Sequence, residues 1–174
     1  MSRRLVVLVV VVAVVAVVVG GVAACGRSGF EPVADAALAC PADYVATAGG
    51  CYRAVINENE LAWLAAELAC EAAGPGAHLV VIETEAERAA VNALIPSGIV
   101  DVSIGTSDRV TEGGFLTVHG TVERGPWAPG QPDGGALQNC VVLNQAGELD
   151  DGFCGNPEDY VCEYDGIVVD PTAF

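Results

Sequence analysis

Apolar and polar positions follow several different rhythms along this chain. Residues 5–19 form an unbroken Leu/Val/Ala run behind Arg3-Arg4, followed by Gly20, Gly21 and the small residues up to Ala24. Basic, then apolar, then small is the order of a cleaved secretory signal peptide, predicted here over residues 1–24. The run is shorter than the roughly 20 apolar residues of a membrane-spanning helix. Residues 25–39 are rich in Gly, Ser, Pro and Ala without a hydrophobic period and predict a short tether. Tyr44 and Tyr52 on either side of Gly49-Gly50 predict a small hairpin within residues 41–53.

Helical spacing begins after Asn57. Asn57 and Glu60 have the form of a capping box, and Leu61, Leu64, Ala65, Leu68 and Ala72 then recur on one helical face until Gly74. Residues 78–82, His-Leu-Val-Val-Ile, read as a short buried strand. A second capping box, Thr84 to Glu87, opens a helix to about Leu94, which Ile95-Pro96-Ser97-Gly98 terminates. The chain then changes character. Brief β-type runs at 100–104, 115–118, 140–143 and 160–163 are separated by Gly, Pro, Asp and Asn, so the class is α+β. The stretch 120–139 has little periodicity, and a loop of that length in a compact domain is usually functional or disordered.

Charge and cysteine content narrow the function. The formal net charge is -16, from 23 acidic residues against 7 arginines and no lysine, and cleavage would remove Arg3 and Arg4 as well. Such a surface repels nucleic acid and anionic headgroups, so no nucleic-acid partner is expected. Val22-Ala23-Ala24-Cys25 resembles the lipobox of bacterial lipoproteins, which implies a lipidated Cys25 and an exported protein anchored to a cell-envelope membrane, periplasmic or at the cell surface. Of the 7 cysteines, setting Cys25 aside leaves Cys40, Cys51, Cys70, Cys140, Cys154 and Cys162, an even disulfide set whose pairing remains open at this point. No Cys-x-x-Cys pair occurs, and His78 and His119 lie far along the chain from any cysteine pair, which makes a structural zinc site a weak reading. His78 starts a strand and His119 sits in a turn, and each reads as incidental to ligand binding. No enzyme is expected: there is no Gly-x-Ser-x-Gly elbow, no His-Glu-x-x-His and no phosphate loop, and the adjacent Asp150 and Asp151 are poorly placed to straddle a scissile bond.

A family resemblance enters with the second half of the chain. Glu112-Gly113-Gly114-Phe115, Val118, Gly120, Trp127, Gln131-Pro132-Asp133, Cys140, Leu149-Asp150-Asp151, Cys154 and Cys162-Glu163 together resemble a C-type lectin domain over residues 40–165, leaving 166–174 as a tail. Trp63, seven residues before Cys70, and Ile104-Gly105 fit the same pattern, with Ser103 and Thr106 as departures. The resemblance implies a C-type-lectin-like fold: two helices, small antiparallel sheets, long loops and three disulfides, Cys40–Cys51, Cys70–Cys162 and Cys140–Cys154. It also implies a cis peptide before Pro132.

Its implied site combines Gln131, Asp133, Gln138, Asp150 and Asp151 as calcium ligands, with Gln131, Asp133, Gln138 and Asp150 also meeting the sugar. Gln138 stands where the family usually has Glu, and Leu149-Asp150 where it has Trp-Asn. The acid lost at Gln138 is therefore offset by the one gained at Asp150, and three carboxylates plus two amide oxygens remain a credible calcium set. The Gln-Pro-Asp order implies galactose-type ligands, although Gly134-Gly135-Ala136 supplies no aromatic ring for a sugar to stack on. Asp108 and Glu112 match an auxiliary calcium pair whose partner acid is replaced by Gly134, so that second site is expected to be absent. Trp63, Phe115 and Trp127 read as core residues. The function so implied is a surface-anchored, calcium-dependent, galactose-type carbohydrate-binding lectin. The alternative is a calcium-independent C-type-lectin-like module that binds an envelope or extracellular protein or has a structural role.

Overall fold

The computed structural model describes residues 39–48 and 50–174, and the signal, tether and Cys25 expectations lie outside them. Strands β1 (Val45–Thr47) and β2 (Gly50–Val55) form the expected hairpin. They are followed by helix α1 (Trp63–Glu71), β3 (Ala77–Leu79), helix α2 (Glu85–Asn92), β4 (Asp101–Ser107), β5 (Leu116–Thr117), β6 (Cys140–Asn144), β7 (Leu149–Gly152) and β8 (Asp159–Tyr164). One sheet takes the order β1-β2-β8-β4-β6-β7, with β3 added to β8 and β5 to β4. Its pairs are antiparallel except β4 with β8, which run parallel in the register Val102 to Asp159.

Side chains on a strand alternate between faces, and β8 shows what that does at the middle of a sheet. Tyr160 and Cys162 join a cluster containing Trp63, Leu79, Val81 and Val118. Val161, between them, joins Tyr52, Val102, Ile104, Leu143 and Leu149. The sheet is thus buried on both faces around β8 and β4. Gly105 sits where β4 passes β3: a Cβ there would overlap the Leu79 carbonyl oxygen, so only glycine lets the two backbones approach. Phe174, at the end of the described chain, packs edge-on against Trp63 with centroids 5.5 Å apart.

The three disulfides join Cys40 to Cys51, Cys70 to Cys162 and Cys140 to Cys154. The Gln131–Pro132 peptide is cis. Trp63 and Phe115 are buried, and Trp127 packs on Phe115 at 4.8 Å between centroids.

Helix α1 departs from its expected face. The residues it buries are Trp63, Ala66, Glu67 and Cys70, whereas Leu64 and Leu68 are 41% and 57% exposed. Three long-range ties override the leucine stripe: Trp63 Nε1 donates to the Ile104 carbonyl at 2.7 Å, Glu67 accepts from Leu79 N at 2.8 Å, and Cys70 is bonded to Cys162. Asn57 is not its cap. Asn57 has a positive φ and donates its N–H to Asp159, and Ala62 begins the helix without a side-chain cap.

Helix α2 opens as expected, with Thr84 accepting from Glu87 N at 3.1 Å. The return bond is displaced by one residue, since the Glu87 carboxylate takes the N–H of Glu83. Thr84→Ala is expected to cost about 1 kcal/mol by removing that cap, read as a lower urea midpoint with an unchanged slope.

Candidate functional site

The long stretch before β6 folds back onto β7, and the two define a cavity of about 240 Å³. Gln131, Gln138, Asp150 and Asp151 line it, together with Asp101, Phe153 and Glu158. Asp151 is the organising side chain. It is 3% exposed, and its two oxygens accept the backbone N–H groups of Asp133 and Gly134, both at 2.9 Å. A carboxylate taking two backbone donors fixes the loop that follows the cis proline. Gln138 closes the same loop after a 3-10 turn over Gly135–Leu137, packing so tightly on Gly134 that a Cβ there would overlap its amide.

Four of the five expected ligand residues, Gln131, Gln138, Asp150 and Asp151, line this cavity. Asp150 and Asp151 are adjacent on β7, both line the cavity, and the charge of Asp151 acts on Asp150. Asp151 serves the loop, while Asp150 stands close enough to Asp101 to raise the latter's carboxyl, after burial, above the usual carboxylate range. Asp133 is exposed and outside the cavity lining; its N–H is bonded to Asp151 and its charge acts on Asp150.

Electrostatics nevertheless mark the cavity. Burial first, and then the charges of Asp151 and Asp133, push the Asp150 carboxyl up. Glu158 is raised in the same way by burial and by Asp101. Against this excess of acid stands one unmet acceptor: the Gln131 side-chain oxygen is buried and has no hydrogen-bond partner. Buried acceptors are rarely left so, and a set made only of oxygen donors, several of them mutually repelling carboxylates, is the chemistry of a hard cation such as calcium.

Asp101, Glu158 and Phe153 are lining residues that the sequence motifs do not name. Asp101 and Glu158 meet because β4 and β8 run parallel and start at the same end, a pairing that no local pattern announces. Phe153 is 50% exposed at the cavity wall and supplies the aromatic face that residues 134–136 lack. Its signal was an apolar ring directly after Asp150-Asp151-Gly152, among turn formers where a core position would be out of place. Of the auxiliary pair, Asp108 is buried and accepts the N–H of Gly113 at 2.7 Å, whereas Glu112 is exposed.

From the sequence, His78 and His119 each read as incidental to ligand binding. The fold brings them together with Asp165, the one group of three such residues among those described whose ligand atoms all lie within 4.8 Å of one another. Among the described residues no helix is long and apolar enough to cross a membrane.

A family model described as the lectin C-type domain matches residues 59–164. Mouse C-type lectin domain family 3 member A is 41% identical over 70 residues, 38% of this chain and 36% of that protein's own length. The carbohydrate-recognition domain of the mouse scavenger receptor C-type lectin superposes with a TM-score of 0.65 at 27% identity, covering 73% of this chain and 98% of that one. The lectin CEL-I of Cucumaria echinata gives 0.64 at 27%, covering 71% and 96%. These relatives are eukaryotic, and they overturn the bacterial-lipoprotein reading drawn from the residues around Cys25.

Proposed function

The chain belongs to the C-type lectin domain family, and from that premise we propose that it is an exported glycan-binding lectin that holds its sugar through calcium at the Gln131–Asp151 cavity. The fold is of the carbohydrate-recognition type, and its structural relatives are non-catalytic lectin domains. Export agrees with three disulfides, which persist in oxidising compartments.

The carrying observation is the unpartnered, buried oxygen of Gln131 in a cavity crowded with acid. Gln131, Gln138, Asp150 and Asp151 would hold the ion, with Asp133 joining through the loop that Asp151 orders. Bound calcium would neutralise the repulsion that now raises Asp150 and offer open positions to sugar hydroxyls. Gln131 and Gln138 both donate and accept hydrogen bonds, whereas Asp150 only accepts. The Gln-Pro-Asp order of residues 131–133 favours galactose-type ligands. Phe153 presents a face on which the apolar side of such a sugar can stack.

The expected result is a melting temperature that rises with calcium, a dissociation constant on the order of 0.1–1 mM as for extracellular modules, and galactose-type hits on a glycan array that chelator abolishes. Asp151→Asn should remove the calcium-dependent rise. A rise that survives in the variant would place the ion elsewhere. Array binding that ignores chelator, or a mannose or fucose preference, would defeat the reading. A domain with no calcium response and no glycan hit would instead be a calcium-independent protein-binding module.

A further inference from the structure

We propose that His78, His119 and Asp165 form a second metal site, for a zinc-class divalent cation, sharing no residue with the acidic cavity. The argument starts from one hydrogen bond. His78 Nδ1 lies 2.8 Å from the Leu79 carbonyl oxygen, and since a carbonyl only accepts, Nδ1 carries the proton. In the neutral ring Nε2 is then a lone pair. Asp165 Oδ1 lies 3.1 Å from it, and His119 Nε2, which offers a lone pair in its Nδ1–H tautomer, lies 3.0 Å away.

The two rings are nearly perpendicular, at 83° with centroids 4.4 Å apart, and they approach tip to tip through these nitrogens. With His119 in that tautomer three acceptor atoms converge, an arrangement that a bound cation satisfies. Donor atoms of a tetrahedral zinc site with bonds of about 2.0–2.1 Å are about 3.3 Å apart, close to both observed separations. Two imidazoles and one carboxylate select zinc and its transition-metal neighbours over calcium, whose ligands are oxygens.

The support around the cluster is that of a ligand site. The Leu79 carbonyl fixes the ring orientation of His78, and the N–H of Ile167 holds Asp165 Oδ1 at 2.6 Å. Such outer bonds orient ligands in metal sites. His78 is completely buried at the β3–β8 pairing, opposite Glu163, while the Asp165 side chain keeps 21% of its exposure. An ion therefore has a way in, and three protein ligands leave one position for water or an outside group.

The test uses the disulfide-intact chain, freed of metal with chelator and titrated with zinc chloride by calorimetry, with cobalt(II) as an optical probe of geometry. One zinc ion per chain should bind, unaffected by calcium, and cobalt should give the intense visible bands of a four-coordinate site. His119→Gln and Asp165→Asn should each weaken zinc by at least about tenfold; His119 lies in a turn, so the first variant is expected to keep the fold, which its circular dichroism checks. Absence of zinc binding in the unmodified chain would overturn the proposal and leave His78 as an imidazolium bonded to Asp165. Undiminished zinc binding in both variants would overturn it equally.

Discussion

Replacing Cys70 and Cys162 together with alanine is expected to lower the unfolding free energy by about 4–5 kcal/mol, the chain-entropy value for a loop of this length. The bridge spans 92 residues, against 11 and 14 for the other two. Because loop entropy grows with length, the two short bridges should each contribute about 3 kcal/mol. The long bridge also ties α1 to β8, and both cysteines are completely buried beside Trp63. For a domain of this size the loss corresponds to roughly 15 °C in melting temperature. Calorimetry under non-reducing conditions measures it directly. Equal losses from all three pairs would show that loop length does not set the order.

The second large effect is carried by pH. Glu67 is completely buried in α1, with one carboxyl oxygen bonded to Leu79 N and the other without a partner. Burial pushes this acid up to about 7, against the opposing pull of the Leu79 N–H and of His78. Its folded value lies above the 4.5 of a free side chain, so the folded state holds the proton more tightly. The stability contributed is complete below about pH 4.5 and is lost as pH rises to about 7, a difference of roughly 3 kcal/mol at 1.36 kcal/mol per unit. Glu163 is raised in the same sense by burial and by Glu87. Glu67→Gln is therefore expected to stabilise the domain by about 2–3 kcal/mol at pH 8 and to change little at pH 4. Urea unfolding at the two pH values decides it, and a destabilised variant at pH 8 would mean that the ionised carboxylate is needed.

What the sequence revealed and what it concealed follow from the range of the interactions involved. The Thr84 cap and the hairpin between Tyr44 and Tyr52 depend on residues a few positions apart, and both were legible. The face of α1 was not. Its leucines carry the stronger local pattern, but the helix is turned by Ile104, Leu79 and Cys162, the last 92 residues away from Cys70. Strand β7 escaped notice because Leu149-Asp150-Asp151-Gly152 offers one apolar residue, and its strand character comes from pairing with β6. At the cavity, the family resemblance named Gln131, Gln138, Asp150 and Asp151, all of which line it, while Asp101 and Glu158 required knowledge of the parallel pairing. His78, His119 and Asp165 come from three separate segments, and no spacing rule reaches across them.

The place of β7 in the sheet has a bearing on solubility. It is the last strand in the order β1-β2-β8-β4-β6-β7, and Leu149 alone is bridged outward, to Trp127. A terminal strand invites another chain to extend the sheet, and a common defence is charge on that strand. Here the segment 126–134 covers part of the edge through Leu149 and through the buried Asp151, which holds the N–H groups of Asp133 and Gly134, and Asp150 adds its charge. Removing the charges of Asp150 and Asp151, by acid or as the paired amides, would disarm the edge as well as the cavity, and concentrated samples so treated should self-associate before they unfold.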